Sequence, residues 1–272
     1  MKKLMCAIAA VTAGLCYGSV ESANVVGYQN KGLSGNDAFD FVVPTFKAVD
    51  GHAMTLKDIK LQYSELDPTI QYLWTLSSGG ATKAKFYYLN EATAEDWGYE
   101  PDEIPDVIGW YSDGSCTIPA NDEPIPYGQG FAIVASAIAG DDVKVVFSGA
   151  VQSKEANVDI KGDDTFIFTG NCIPADYKLG DLALIYTELD PTVQYLWTLS
   201  TGGATKAKYY YLNEATAEDW GYEPDEIPDV IGWYSDGSCT IPANDEPMPA
   251  GQGVAIVSSM EDIQLWVPSP LK

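Results

Sequence analysis

Short apolar and aromatic runs recur along the chain, separated by glycine, proline and acidic residues. Residues 72–76 and 83–89 are rich in β-branched and aromatic side chains, and residues 131–134 and 143–147 are comparable apolar runs. Runs of about four to eight such residues predict β-strands. The sequence Ser-Ser-Gly-Gly at 77–80 lies between the first two runs, so we predict that these two strands pair as a hairpin.

Two short helical turns are predicted from capping patterns. Thr55 is followed three residues later by Asp58, and Thr93 by Asp96, which is the spacing of an N-cap with an acid in the first turn. Neither pattern continues for the roughly ten residues that indicate a longer helix. We therefore expect helix only as short turns.

A long internal repeat organises the chain. Residues 65–134 recur at 188–257, and the copies differ at six aligned pairs: Ile70/Val193, Ser78/Thr201, Phe86/Tyr209, Ile125/Met248, Tyr127/Ala250 and Phe131/Val254. The flanks match weakly but in the same order, which suggests an old duplication with recent sequence exchange in the middle. We predict an all-β protein of two tandem β-sandwich-like or small-barrel repeats, residues 23–150 and 151–272.

The first 22 residues have the pattern of a signal peptide. Lys2 and Lys3 precede an apolar segment at 4–15 that is too short to span a bilayer, and small residues follow as far as Ser22. Cleavage after Ser22 would release a secreted, extracellular or periplasmic protein. No later stretch reaches about 18 apolar residues, so we expect no membrane insertion.

The charge balance excludes some classes of partner. The chain carries a formal net charge of −24, and all 15 of its basic residues are lysine. Nucleic acids and anionic membrane surfaces are bound through basic patches, so neither is an expected partner.

Three cysteines remain after residue 22, namely Cys116, Cys172 and Cys239. Export permits a disulfide, yet an odd number leaves one thiol over, so one bridge and three buried thiols both stay open.

An acidic segment at 91–106 recurs at 214–229 and is a candidate calcium site. Calcium prefers six to eight oxygen ligands, and the carboxylates singled out are Glu95, Asp96, Asp102, Glu218, Asp219 and Asp225. The segment lacks the ligand spacing of an EF-hand, and charge runs of this kind are commonly solvated surface. Calcium is therefore a candidate cofactor and is not a required one.

Aromatic residues in the same segment are candidate ligand-binding residues. Trp97, Tyr99, Trp220 and Tyr222 lie in polar surroundings, where an exposed ring could stack on a sugar face. Aromatic residues in the strands, such as Trp74 and Trp110, are expected in the core instead. We predict no catalytic residues, because the sole histidine, His52, has no nucleophile motif around it.

Several short segments recur in a recognisable order. They are the start at 23–28 (Ala-Asn-Val-Val-Gly-Tyr), the joining segment at 145–151 and, in each repeat, an aromatic strand, a Gly-Trp pair and a Pro-x-Gly-x-Gly strand entry. In these segments the chain resembles a group of secreted bacterial two-repeat proteins. The strand entries lie at 126–131 and 249–254, and Val254 departs from the usual aromatic residue. The acidic insert at 91–106 also departs from the pattern. The resemblance implies export and a repeat architecture, and it carries no activity.

Together these patterns predict a secreted or cell-surface, non-enzymatic protein with a structural or interaction role. The alternative is a glycan-binding module, assisted by calcium, that uses the four aromatic residues named above. Extracellular glycans or proteins are the expected partners, and self-association is a further expectation because adjacent near-identical domains can exchange strands.

Overall fold

The structure is a computed structural model that describes residues 26–33, 38–47, 54–62, 72–76, 83–135, 144–162, 166–187, 191–199 and 206–270. The predicted signal peptide at 1–22, the hairpin connection at 77–80 and His52 lie outside the described residues.

The first repeat consists of short strands with two small helices. Its strands are β1 (Val26–Gly32), β2 (Ala38–Val42), β3 (Phe46–Lys47), β4 (Met54–Thr55), β5 (Ile59–Gln62), β6 (Tyr72–Leu76), β7 (Lys83–Leu89), β8 (Gly109–Tyr111), β9 (Pro124–Ile125), β10 (Phe131–Ala135) and β11 (Lys144–Val151). Its helices are α1 (Glu91–Asp96) and α2 (Ile104–Val107), and a 3-10 turn spans Leu56–Asp58.

The second repeat has closely matching elements. Its strands are β12 (Ala156–Ile160), β13 (Phe166–Gly170), β14 (Tyr177–Lys178), β15 (Ala183–Ile185), β16 (Gln194–Leu199), β17 (Lys206–Leu212), β18 (Gly232–Tyr234), β19 (Pro247–Met248), β20 (Gly253–Ser258) and β21 (Ile263–Val267). Its helices are α3 (Glu214–Asp219) and α4 (Ile227–Val230), with 3-10 turns at Leu179–Asp181 and Pro191–Val193.

Each repeat contains a larger and a smaller antiparallel sheet. The larger sheets have the orders β2-β10-β6-β7-β8 and β13-β20-β16-β17-β18. In the smaller sheets, β11 pairs with β1, β3 and β5, and β21 pairs with β12 and β15. Short pairs, β4 with β9 and β14 with β19, complete the architecture. The predicted all-β fold is confirmed.

The two sheets of a repeat enclose its core. In the first repeat, Leu61 and Val145 of the smaller sheet pack in one buried cluster with Leu73 and Ile133 of the larger sheet. Trp110 is fully buried, as expected, and its Nε1 donates a hydrogen bond to the Ile59 carbonyl at 2.6 Å. This bond joins the edge of the larger sheet to β5. Apolar burial between two layers is the arrangement of a β-sandwich.

Most strand predictions agree with the structure. β6 and β7 have the predicted bounds and pair antiparallel, and the 3-10 turn after Thr55 begins where the capping pattern placed it. Trp74 was expected in the core but is only half-buried, because its neighbour Leu73 points inward and successive strand residues point to opposite faces. β11 extends one residue past the predicted domain boundary at 150, and that boundary stays a prediction.

The two repeats meet through reciprocal backbone contacts. The rings of Phe41 in β2 and Phe168 in β13 lie 5.0 Å apart, edge to face. The Gly130 amide donates to the Phe168 carbonyl at 2.7 Å, while Gly253 lies against the backbone of Phe41 and Val42. Gly130 directly precedes β10, and Gly253 begins β20, the corresponding strand of the second repeat. The two glycines therefore occupy equivalent positions, and each contacts the opposite repeat.

The first strand of each repeat also packs on a glycine turn of the other repeat. From β1, Gln29 Nε2 donates to the Ala250 carbonyl at 3.2 Å and Lys31 Nζ to the Gly251 carbonyl at 2.9 Å. From β12, Val158 lies against the turn at Gly128. The contacts that β1 makes with the second repeat are therefore polar, whereas the corresponding contact that β12 makes with the first repeat is apolar.

We predict that Gly253→Ala lowers the free energy of unfolding by about 1–3 kcal/mol, as overpacking does. A Cβ at this position would lie 2.6 Å from the carbonyl carbon of Phe41 and 2.7 Å from the amide nitrogen of Val42, so the backbones would have to separate. Urea unfolding measures the change. Gly32→Ala is the matched control, because no described atom lies within 4 Å of its Cβ, and a change within about 0.5 kcal/mol is expected. Equal effects of the two substitutions would contradict the close contact.

The buried Lys31 side chain predicts that the stability of the protein depends on pH. Burial lowers the pKa of Lys31 to about 8, although Asp40 opposes the shift. The unfolded chain then binds more protons than the folded chain above pH 8, so this group makes folding more favourable as the pH rises. Lys31→Met removes both the buried charge and its bond to the Gly251 carbonyl, and the free energy of unfolding of the variant relative to the wild type should fall between about pH 7 and pH 9.5, by at most about 1.4 kcal/mol per pH unit. A constant difference in urea unfolding across this range would be the contrary result.

Candidate functional site

The acidic segment of each repeat folds as two short helices held by local hydrogen bonds. The side chain of Asn90 accepts from the Thr93 amide at 2.9 Å, which makes Asn90 the N-cap of α1. The prediction that Thr93 caps this helix is wrong, because Thr93 lies within the first turn and is buried. Asparagine is a stronger N-cap than threonine, and it stands one residue before α1 begins. In the second repeat, Asn213 caps α3 in the same way through Thr216.

A glycine turn ends each of these helices and fixes the aromatic residues that follow. The Gly98 amide donates to the Glu95 carbonyl at 3.0 Å and the Tyr99 amide to the Ala94 carbonyl at 3.1 Å. With Gly98 at a φ of 85°, these two bonds form a Schellman motif. Gly221 and Tyr222 make equivalent bonds at 3.0 and 3.1 Å after α3.

The candidate aromatic residues differ in exposure. Trp97 is 43% exposed and Trp220 is 42% exposed, so both indoles are available to a ligand. Tyr99 and Tyr222 are half-buried and pack against small clusters that contain Leu89 and Leu212. The structure therefore presents one exposed indole per repeat beside a tyrosine that helps to anchor its own loop.

The candidate calcium ligands are all surface residues. Glu95, Asp96, Asp102, Glu218, Asp219 and Asp225 are exposed. Across the described ranges, no group of three or more histidine, cysteine, aspartate or glutamate residues is arranged so that it could hold a metal ion. Calcium binding at these residues stays a prediction.

Other polar residues near the segment bind the backbone. Asp113 Oδ1 accepts from the amides of Thr117 at 3.0 Å and Ile118 at 2.7 Å. Desolvation opposes ionisation of Asp113, but these bonds outweigh it and hold the pKa of its carboxyl below the ordinary value. Asp236 makes the same contacts with Thr240 and Ile241. Both carboxylates therefore fix the loops that carry the exposed Ile118 and Ile241.

Cys116, Cys172 and Cys239 are all free and buried. Of the two alternatives, one disulfide or three buried thiols, the structure has three buried thiols. Burial raises the pKa of Cys116 to about 12 and that of Cys239 to about 11, with Asp113 and Asp236 adding to the shifts. Burial also raises the pKa of Cys172. These groups are protonated at neutral pH, and a protonated thiol is neither a good nucleophile nor a good metal ligand.

In each repeat, a groove lies beside the first helix of the acidic segment, α1 or α3, and is lined by residues from several elements. In the first repeat, a cavity of about 480 Å³ is lined by Leu61, Gln62, Tyr88, Asn90, Glu91, Ala92, Glu95 and Ile108. In the second repeat, an equivalent cavity of about 530 Å³ is lined by Ala183, Leu184, Ile185, Tyr186, Tyr211, Asn213, Glu214, Ala215, Glu218 and Ile231. Of the sequence-predicted residues, only Glu95 and Glu218 line these grooves.

Sequence reasoning missed the partners of these two glutamates. Glu91 and Glu214 stand four residues before Glu95 and Glu218, a spacing that places each pair on one face of a helix. The available signal was the asparagine cap, which would have shown that the helix begins at residue 91. The facing strands, β5 and β15, come from distant sequence and could not be assigned to the groove in this way.

Comparisons with protein-family models, curated proteins and solved structures give no match for this chain. Within the described residues, no helix is both long enough and apolar enough to cross a membrane.

Proposed function

We propose that this protein is exported and acts as a non-enzymatic interaction protein that presents one acidic surface twice. The observation that carries the proposal is where the two copies differ. The segment 87–124, which supplies α1, α2 and the exposed loops, is identical to 210–247. The described differences fall instead at buried or half-buried positions, as at Phe86/Tyr209 and Ile125/Met248.

This distribution is the reverse of what physical tolerance favours. Exposed positions usually accept substitution with little change in stability, whereas core positions do not. The exposed loops and helices of this segment are identical in the two copies, together with buried residues beneath them such as Leu89 and Trp110, which is consistent with a surface that contacts the same partner in both repeats.

Site-specific photo-crosslinking in the producing cells tests this function. A photoreactive residue replaces Asp102 or Asp225, which are equivalent and exposed, or Lys154, which is exposed in the segment between β11 and β12. We expect the first two positions to capture the same partner and the third to capture none. Different partners at Asp102 and Asp225, or equal capture at Lys154, would contradict a shared acidic surface.

The export part of the proposal has its own measurement. The mature chain should begin at Ala23 in the extracellular or periplasmic fraction, because the preceding residues match a signal peptide. Mass spectrometry of the N-terminal peptide gives the result directly. An intact Met1 in a chain that stays in the cytoplasm would contradict export.

A second candidate function, glycan binding, is favoured by the exposure of Trp97 and Trp220. An indole that is both exposed and held by a capped helix is suited to stacking on a sugar ring, and adjacent carboxylates would accept bonds from hydroxyl groups.

A glycan array with the mature protein in millimolar calcium tests this alternative. We expect Trp97→Ala with Trp220→Ala to abolish binding, since both stacking surfaces are lost. Ile118→Ala with Ile241→Ala is the matched control, because these apolar side chains are also exposed, at 57% and 58%, in the same block. Repeating the array with chelator measures the role of calcium. Binding that survives loss of both tryptophans would contradict the stacking role.

A further inference from the structure

The strand β15 forms an edge of the smaller sheet in the second repeat. Its pairing partner among the described strands is β21. In an antiparallel ladder, alternate residues direct both backbone polar groups toward the partner strand, and the residues between them direct theirs away. The side of β15 that faces away from β21 therefore has a definite set of outward-pointing groups.

Two hydrogen bonds identify that set. Trp233 Nε1 donates to the Leu182 carbonyl at 2.7 Å, and Asn213 Nδ2 donates to the Tyr186 carbonyl at 2.8 Å. Both donors lie on the side of the strand opposite β21, because they belong to β18 and to the cap of α3. Leu184 stands between the two carbonyls with the same alternation, so its N–H and C=O also point away from β21.

The first repeat has the same arrangement. β5 pairs with β11, and Trp110 Nε1 donates to the Ile59 carbonyl on the other side of the strand. Ile59 corresponds to Leu182, so Leu61 is the residue whose backbone groups face outward. Leu61 and Leu184 both line the grooves described above.

Each groove thus has a sheet edge on one side and an acidic helix on the other. The helical wall carries Glu214 and Glu218 on one face of α3, or Glu91 and Glu95 on one face of α1. The strand wall of the second groove also carries Ile185, which is 51% exposed. The carbonyls of Leu182 and Tyr186 are already occupied, so an added extended chain can pair only with the outward N–H and C=O of Leu184 between them. Backbone hydrogen bonds to a sheet edge provide affinity, and side chains provide selectivity.

We propose that the two grooves bind extended peptide segments that carry lysine or arginine, one segment to each repeat. The backbone of the bound segment pairs with Leu184 or Leu61, its basic side chains meet the paired glutamates, and its apolar side chains contact the strand wall. The basic character follows from charge complementarity with these glutamates and with a chain of net charge −24. This proposal rests on the interaction role proposed above and names the chemistry of the partner.

The probe is a fluorescein-labelled hexapeptide of alternating lysine and valine, titrated into the mature chain and followed by fluorescence anisotropy. We expect two sites per chain. A version with N-methylated backbone amides, which cannot donate to a sheet edge, should bind about tenfold more weakly. Equal binding of the two peptides would overturn edge pairing.

The groove variant is Glu91→Gln, Glu95→Gln, Glu214→Gln and Glu218→Gln combined, and it should weaken binding about tenfold. The matched control replaces Asp159, Asp176 and Asp181 with asparagine and Glu155 with glutamine, which removes the same charge from exposed positions outside both the grooves and the acidic segments. The control should retain wild-type affinity. Equal weakening in both variants would show a general charge effect and overturn the groove as the site.

Amide hydrogen exchange by NMR provides a readout that is independent of affinity. Pairing with the peptide should slow exchange at the amides of Leu61 and Leu184, because these N–H groups face the grooves. Unchanged exchange at saturating peptide would overturn the proposal. Absence of peptide binding together with positive crosslinking at Asp102 and Asp225 would reject the grooves alone, whereas failure of both experiments would reject the interaction role as well.

Discussion

The close approach of two backbones at the Phe41–Phe168 contact is the constraint on which the rest of the arrangement depends. A β-carbon at Gly253 would lie 2.6 Å from the Phe41 carbonyl carbon, which leaves no room for it, and one at Gly130 would lie in tight contact, 3.1 Å from the backbone of Phe168 and Thr169. The Gly130 amide consequently reaches the Phe168 carbonyl, and Val43 of the first repeat donates to the Gly251 carbonyl of the second at 3.1 Å. Backbone contacts tolerate side-chain change nearby, which allows the surrounding interior positions to differ between the copies.

The exposed face of each repeat is set by short-range hydrogen bonds. Asn90 begins α1, Gly98 ends it, and Asp113 holds the loop that follows β8. Asn121 Oδ1 accepts from the Trp110 amide at 2.8 Å and joins this face to the larger sheet. Because every one of these residues has an identical counterpart, the two copies present the same face even though their cores are filled differently.

Sequence reasoning succeeded where the signal was local and failed where it was not. The aromatic and β-branched residues at 72–76 and 83–89 were sufficient to predict both strands, since such residues favour strands. Thr93 with Asp96 three residues later matches an N-cap pattern, whereas Asn90, immediately before α1, is the residue that caps the helix. The groove could not be predicted, because its strand wall is oriented by the bond from Trp110 to Ile59, which joins residues 51 positions apart. Burial of Tyr99 likewise depends on contacts with Leu89 and Ala94 in the folded cluster.

Tyr127 of the first repeat aligns with Ala250 of the second, which is the one large difference in side-chain size within the repeated block. This difference agrees with the unlike contacts that the two glycine turns make. The turn at Gly128 meets Val158, and Tyr127 packs against the second core with its hydroxyl donating to the Cys172 carbonyl at 3.2 Å. At the corresponding turn, the Ala250 carbonyl accepts from Gln29, and a small residue there stands beside polar partners.

Near-identical repeats in one chain are at risk of pairing with the wrong copy, because equal surfaces fit equal partners. The turn at Gly251 makes polar contacts and the turn at Gly128 makes apolar ones. Each repeat therefore has a different complementary surface on the opposite repeat. A first repeat that met another first repeat would place Gln29 and Lys31 against the large ring of Tyr127, where the second repeat has only the small Ala250 beside them. The substitution at this single pair therefore favours association of unlike repeats within one molecule.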